Sequence, residues 1–207
     1  MNTALQAYIE HTIIPRYQHF DKAHNLSHVR EVIERSVALA QQYDANIDMA
    51  YTIAAYHDLG LENGREWHHI DSGKILMADN RLAEWFTPEQ LVTMCEAVED
   101  HRASNQHAPR SLYGCIVAEA DRLIDPDTTL RRTIQYGLKH LDTTHRETHY
   151  QRFHQHLLEK YAQGGYLQLW LPESDNATRL EELRAIIANE TLLRSTFDTI
   201  FDQECPL

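Results

Sequence analysis

Tyr56-His57-Asp58-Leu59-Gly60 puts two adjacent metal-competent side chains at the end of a helical, apolar run. Upstream, Met49, Ile53, Ala54 and His57 recur at helical spacing, so His57 extends an apolar stripe towards the interior. Gly60 predicts the stop, because glycine tolerates the left-handed conformation just past a helix end. An imidazole nitrogen beside a carboxylate oxygen suits a divalent transition metal. One His-Asp dipeptide proves nothing, and its weight comes from the rest of the chain.

Three more segments repeat the arrangement. Met94, Ala97 and Val98 put His101 on the apolar face of its helix, and Val117 and Ala118 do the same for Asp121. Val29, Val32, Ile33 and Val37 form an inner face with His28 next to it. A carboxylate on a buried stripe is costly unless it is paired, protonated or bound to a cation. Four separated segments thus offer ligands inward.

The order His28, then His57-Asp58, then Asp121 resembles the HD superfamily of metal-dependent phosphohydrolases. The flanking words agree: His24-x-x-x-His28-Val29, His57-Asp58-Leu59-Gly60 and Ala120-Asp121-Arg122-Leu123. Members that hold two metals add two histidines, matched here by His69, four residues before Gly73, and by His101 in Asp100-His101-Arg102. His68 competes with His69 if its helix starts one residue earlier, but the spacing to Gly73 favours His69. The resemblance spans roughly residues 10–125 and implies an all-α helical bundle. It also implies one or two divalent ions, drawn from Mn, Mg, Fe, Ni, Co and Zn.

On that resemblance, His28, His57 and Asp121 hold one ion, His69 and His101 the other, and Asp58 bridges them, with His57 and Asp58 as the catalytic pair. The substrate implied is a nucleotide or another small phosphorylated metabolite, cleaved at its phosphoester by metal-activated water. Arg65, Lys74, Arg102 and Arg122 are candidate phosphate contacts, Arg102 the foremost because it follows a ligand and begins a loop. His24 is expected to anchor a loop, and Asp100 or Glu99 to assist as base. The Gly-Tyr-Pro signature of cyclic-dinucleotide hydrolases is absent, and Leu59-Gly60-Leu61 lacks the acidic pair of alarmone hydrolases. The same six ligands also suit a di-iron oxygenase, and a non-catalytic metal- or ligand-binding domain is the third reading.

Composition bounds these readings. The 207 residues suit one domain, expected as an HD core of about 20–125 with a C-terminal helical extension of about 126–207. A net charge of −12 argues against nucleic-acid and anionic-membrane partners, while a metal can reverse the potential inside one pocket. With no signal peptide, no membrane-length apolar run and three unpaired-looking cysteines, Cys95, Cys115 and Cys205, a cytoplasmic location is expected. The apolar C-terminal helices leave an oligomer open.

Capping signals set the helix starts: Asn25 or Ser27, Asp48, Thr87-Pro88-Glu89-Gln90, Ser111 and Asp175 or Asn176. Asp175 or Asn176 should open one long last helix through Leu180, Leu193 and Ile200. His145 and His149 stand four apart, but without a nearby third ligand they read as part of a solvated, histidine-rich face with His140, His154 and His156.

Overall fold

The computed structural model describes residues 1–21, 24–105 and 107–205; Lys22, Ala23 and Gln106, inside two expected loops, lie outside them. Among the described residues there are ten α-helices and no strand, so the fold is all-α. The chain forms two compact units, Met1–Arg122 and Leu123–Leu207, where the sequence placed its boundary at 125/126. No helix of the described residues is long and apolar enough to cross a membrane.

In the first unit, α1 (Thr3–Tyr8) runs through a π-turn into a 3-10 stretch, Ile14–His19, whose second residue, Pro15, has no backbone donor for an α-helical bond. Leu5, Ile9, Ile13, Ile14 and Tyr17 make this segment one buried stripe. The remaining helices are α2 (Leu26–Gln42), α3 (Ile47–Tyr56), α4 (His68–Ala78), α5 (Pro88–Asp100) and α6 (Leu112–Asp121). Every residue of α3 from Met49 to Tyr56 is buried, because the helix is apolar all round and packs against α2, α4, α5 and α6. It is the axis of the unit.

Several helix starts in this unit follow side-chain caps, whereas α4 has none. Asn25 accepts from Ser27 and His28 N–H, Asn46 rather than Asp48 caps α3, and Ser111 caps α6. Thr87 and Gln90 close the reciprocal capping box of α5. Gly60 does not do what its spacing predicted. Its φ is not positive, and it lies in a 3-10 turn, Leu59–Asn63. What requires glycine is crowding: a Cβ there would stand 2.0 Å from the His68 carbonyl oxygen and 2.6 Å from Ser72 N.

The second unit comprises α7 (Pro126–His140), α8 (Arg146–Lys160), α9 (Asp175–Ala188) and α10 (Glu190–Glu204). The single long last helix expected is two. They part at Asn189, whose backbone is extended and whose side chain accepts from Leu192 N–H to cap α10. Phe153, Phe197 and Phe201 pack with tilted rings in the core of the second unit. His149 belongs to that core and not to a solvated face: it is 3% exposed, bonds the Thr143 carbonyl through Nε2 at 2.8 Å and packs on Phe201.

Candidate metal centre

Helix ends build the site. His28 lies in the first turn of α2, His57 and Asp58 follow α3, His68 opens α4, His101 follows α5, and Asp121 closes α6. The last carbonyls of a helix have no intrahelical donor. At α3, His57 Nδ1 takes the Ala54 carbonyl at 2.7 Å, and Tyr17 Oη donates to the Ala55 carbonyl at 3.0 Å while accepting from Asp58 N–H at 3.3 Å. At α5, His101 Nδ1 donates to the Val98 carbonyl at 2.6 Å, and His68 Nδ1 donates to the Arg65 carbonyl at 2.9 Å. With Nδ1 as donor, each of these rings turns Nε2 towards the cluster.

The cluster has two halves joined by one carboxylate. Asp58 Oδ2 lies 3.2 Å from His57 Nε2 and 3.6 Å from His28 Nε2. Its other oxygen, Oδ1, lies 3.5 Å from both His68 Nε2 and His101 Nε2. Asp121 Oδ1 completes the first half, 3.2 Å from His28 Nε2 and 3.8 Å from His57 Nε2. His57, Asp58 and His101 are buried, while His28, His68 and Asp121 are half-buried.

The donor set fits divalent metal. Two triads, His28/His57/Asp58 and Asp58/His68/His101, each bring one donor atom per residue within 4.8 Å of the others. The imidazole nitrogens pair at 3.3 Å in the first half and 3.2 Å in the second. Nitrogens bound about 2.0–2.1 Å from one ion stand roughly 3 Å apart. Two nitrogen lone pairs facing at that distance repel unless positive charge lies between them. In the metal-free chain protons supply it. Burial opposes a proton on His28, yet Asp121 and Asp58 outweigh burial and push it up to about 10. Burial likewise opposes a proton on His101, and Asp58 reverses this to raise it; at His68 burial and the His101 charge lower it. Burial alone would raise Asp58, but His57, His101 and His28 hold it well below the usual carboxylate range. A cluster that demands positive charge at two places is suited to two cations.

One expected ligand is corrected. His68, not His69, faces Asp58 and His101. His69 is 7% exposed, its Nδ1 has no hydrogen-bond partner among the described residues, and its ring lies against Trp67. Burial and then the Arg102 charge hold it down, to about 4. Backbone closes in on Gly60, whose N–H also donates to Ser72 Oγ at 2.8 Å. Tyr17 and Ser72 hold the site's backbone, and no local pattern in the sequence marks either.

The expected cations and bases mostly have other partners. Lys74 pairs with Asp71 at 2.8 Å, and Arg102 Nη1 donates to the Glu66 carbonyl at 2.6 Å. Arg65, with a side chain 70% exposed, reaches His24 Nε2 at 3.4 Å, and His24 Nδ1 is tied to Asp21 at 2.7 Å, which makes His24 a loop anchor. Arg122 is buried beside Asp121, and its Nε and Nη1 find no hydrogen-bond partner among the described residues. Asp100 and Glu99 are unsuited as bases: Arg110 takes both oxygens of Asp100 and Oε2 of Glu99. A cavity of about 360 Å³ is lined by His69, Ile70, Asp100, Asn105 and Arg110 among others, next in sequence to His68 and His101.

No curated protein matches the chain. A crystal structure of a predicted HD superfamily hydrolase from an uncultured Thermotogales bacterium matches it with a TM-score of 0.53 at 21% identity, covering 74% of this chain and 91% of that one. At that identity the likeness speaks for the fold. The sequence pattern of the HD domain matches residues 25–124, a span that begins at the cap of α2 and takes in His28, His57, Asp58, His68, His101 and Asp121. Residues 25–124 of this chain belong to the HD domain family.

Proposed function

We propose that the chain is a metal-dependent phosphohydrolase that cleaves the phosphoester of a nucleotide or another small phosphorylated metabolite. The observation that carries this reading is the division of Asp58, one oxygen towards His28 and His57 and the other towards His68 and His101. Paired divalent ions supply activated water and neutralise charge on phosphoryl oxygens. In this reading His28, His57, Asp58 and Asp121 hold one ion, and Asp58, His68 and His101 hold the other.

The remaining roles fall to the chain's own groups. Surrounded by histidines, Asp58 stays ionised at neutral pH, so both of its oxygens remain available as ligands. With Nδ1 turned to the Ala54, Val98 and Arg65 carbonyls, Nε2 is the ring atom that His57, His101 and His68 would offer to a metal. Arg65 is the phosphate contact we retain, because its exposed side chain meets Asp21 only at 3.7 Å, whereas Lys74 is paired at 2.8 Å and Arg122 is buried. The cavity beside His69 falls within the size range of small-molecule pockets and suits the organic part of the substrate.

The test is metal content of the protein as purified, with turnover of a chromogenic phosphate ester under added manganese, magnesium, nickel and cobalt. Metal-dependent release of phosphate, lost in Asp58→Ala, is the expected result. Two tightly held irons with oxygen uptake and no phosphate release would move the assignment to the di-iron oxygenase.

A further inference from the structure

His68 and His101 belong to different segments, and the Nδ1 of each is tied to its own backbone: His68 to the Arg65 carbonyl, His101 to the Val98 carbonyl. Their Nε2 atoms nevertheless meet at 3.2 Å. Arg102, the residue after His101, reaches across and donates from Nη1 to the Glu66 carbonyl at 2.6 Å, two residues before His68. Its own segment is anchored behind it. Arg110 N–H donates to Asp100 Oδ2 at 2.7 Å, and Asn105 Nδ2 donates to the Glu99 carbonyl at 3.1 Å. Asp100, directly before His101, is 2% exposed and bonded at both oxygens.

We propose that Arg102 is a positioning residue, a strap whose bond to the Glu66 carbonyl sets the spacing of His68 and His101 and so the affinity of the second metal position. The proposal rests on the two-ion reading above. It replaces the expectation that Arg102 grips phosphate. The two roles predict opposite signs for metal binding. An arginine cation one residue from a ligand repels a metal ion, so removing a cation that served phosphate alone leaves metal binding unchanged or tighter. Removing a strap loosens it.

The experiment titrates Mn²⁺ into metal-stripped parent, Arg102→Ala and Arg102→Lys, counting bound ions by electron paramagnetic resonance and heat, with circular dichroism as the check on folding. The parent should bind two ions. Arg102→Ala should keep one at parental affinity and bind the other about 10- to 100-fold more weakly, the usual effect of a residue that orients a ligand. Millimolar guanidinium should recover part of that loss, which a general structural defect would not show. Arg102→Lys keeps the charge but not the planar fork, so it decides the question even if the alanine variant does not fold, and it too should weaken the second ion. A parent that binds two ions, with both variants binding them as tightly, overturns the proposal alone. A parent that binds a single ion overturns it together with the two-ion reading.

Discussion

Both units of this chain carry several histidines, and they use them differently. In the first unit His28, His57, His68 and His101 come from four elements, and their rings touch in sequence around Asp58. In the second unit His149 and His154 lie along α8, and His145 stands at its N-cap position without a capping bond. His149 bonds the Thr143 carbonyl, while His154 stacks on Tyr150. Among the described residues, the groups able to hold a metal ion lie in the first unit. Neighbouring histidines on one helix offer at most one edge of a coordination shell. Helix ends from several directions supply the rest, and they also bring unpaired carbonyls that hold each ring in register.

The comparison breaks first at Asp58. Asp58→Ala should lose both ions and drop metal-dependent turnover by more than about 100-fold, beyond what residues that merely support ligands produce. Saturating Mn²⁺ should stabilise the parent by about 2.7 kcal/mol at a hundred times Kd. Calorimetric scans of the alanine variant should show no such gain, and retention of two ions there would refute the shared carboxylate.

A finer test separates two adjacent histidines. His68→Ala should leave one ion per chain and His69→Ala two, as read by elemental analysis after dialysis. The reverse pattern would restore His69 as the ligand. Smaller again is Gly60→Ala, whose methyl group must displace the backbone of α4 at His68. Overpacking of this kind costs about 1–3 kcal/mol in chemical denaturation, and here it should also weaken the second ion. Least of all for metal is His149→Ala. It should keep full metal content and turnover while costing the second unit about 1–3 kcal/mol, so a fall in metal content would join two histidine sets that belong to different units.

Much of the site was legible because its residues sit where local rules act. Asn25, Thr87-Gln90 and Ser111 announce their helices, and apolar spacing turns His28, His57, His101 and Asp121 inward. The order His28, then His57-Asp58, then Asp121 was enough to point to the family. The start of α4 carries no such mark. Trp67 stands at its N-cap without a side-chain bond to the first turn, so nothing local distinguishes a start at His68 from one at His69. One residue of helix turns a side chain by about 100°, enough to exchange a ligand for a core histidine.

Composition and pattern therefore determined the all-α class, a donor set able to hold a metal and the order of the segments that carry it, since these rest on residue type and on helical period. Tertiary packing decided which of two neighbouring histidines faces Asp58. It also decided why residue 60 must be glycine, and that Arg102 grips a carbonyl and Arg110 two acids. Each of these depends on which backbone lies opposite, over separations of 36 residues for Arg102 and 10 for Arg110, beyond the reach of any local period.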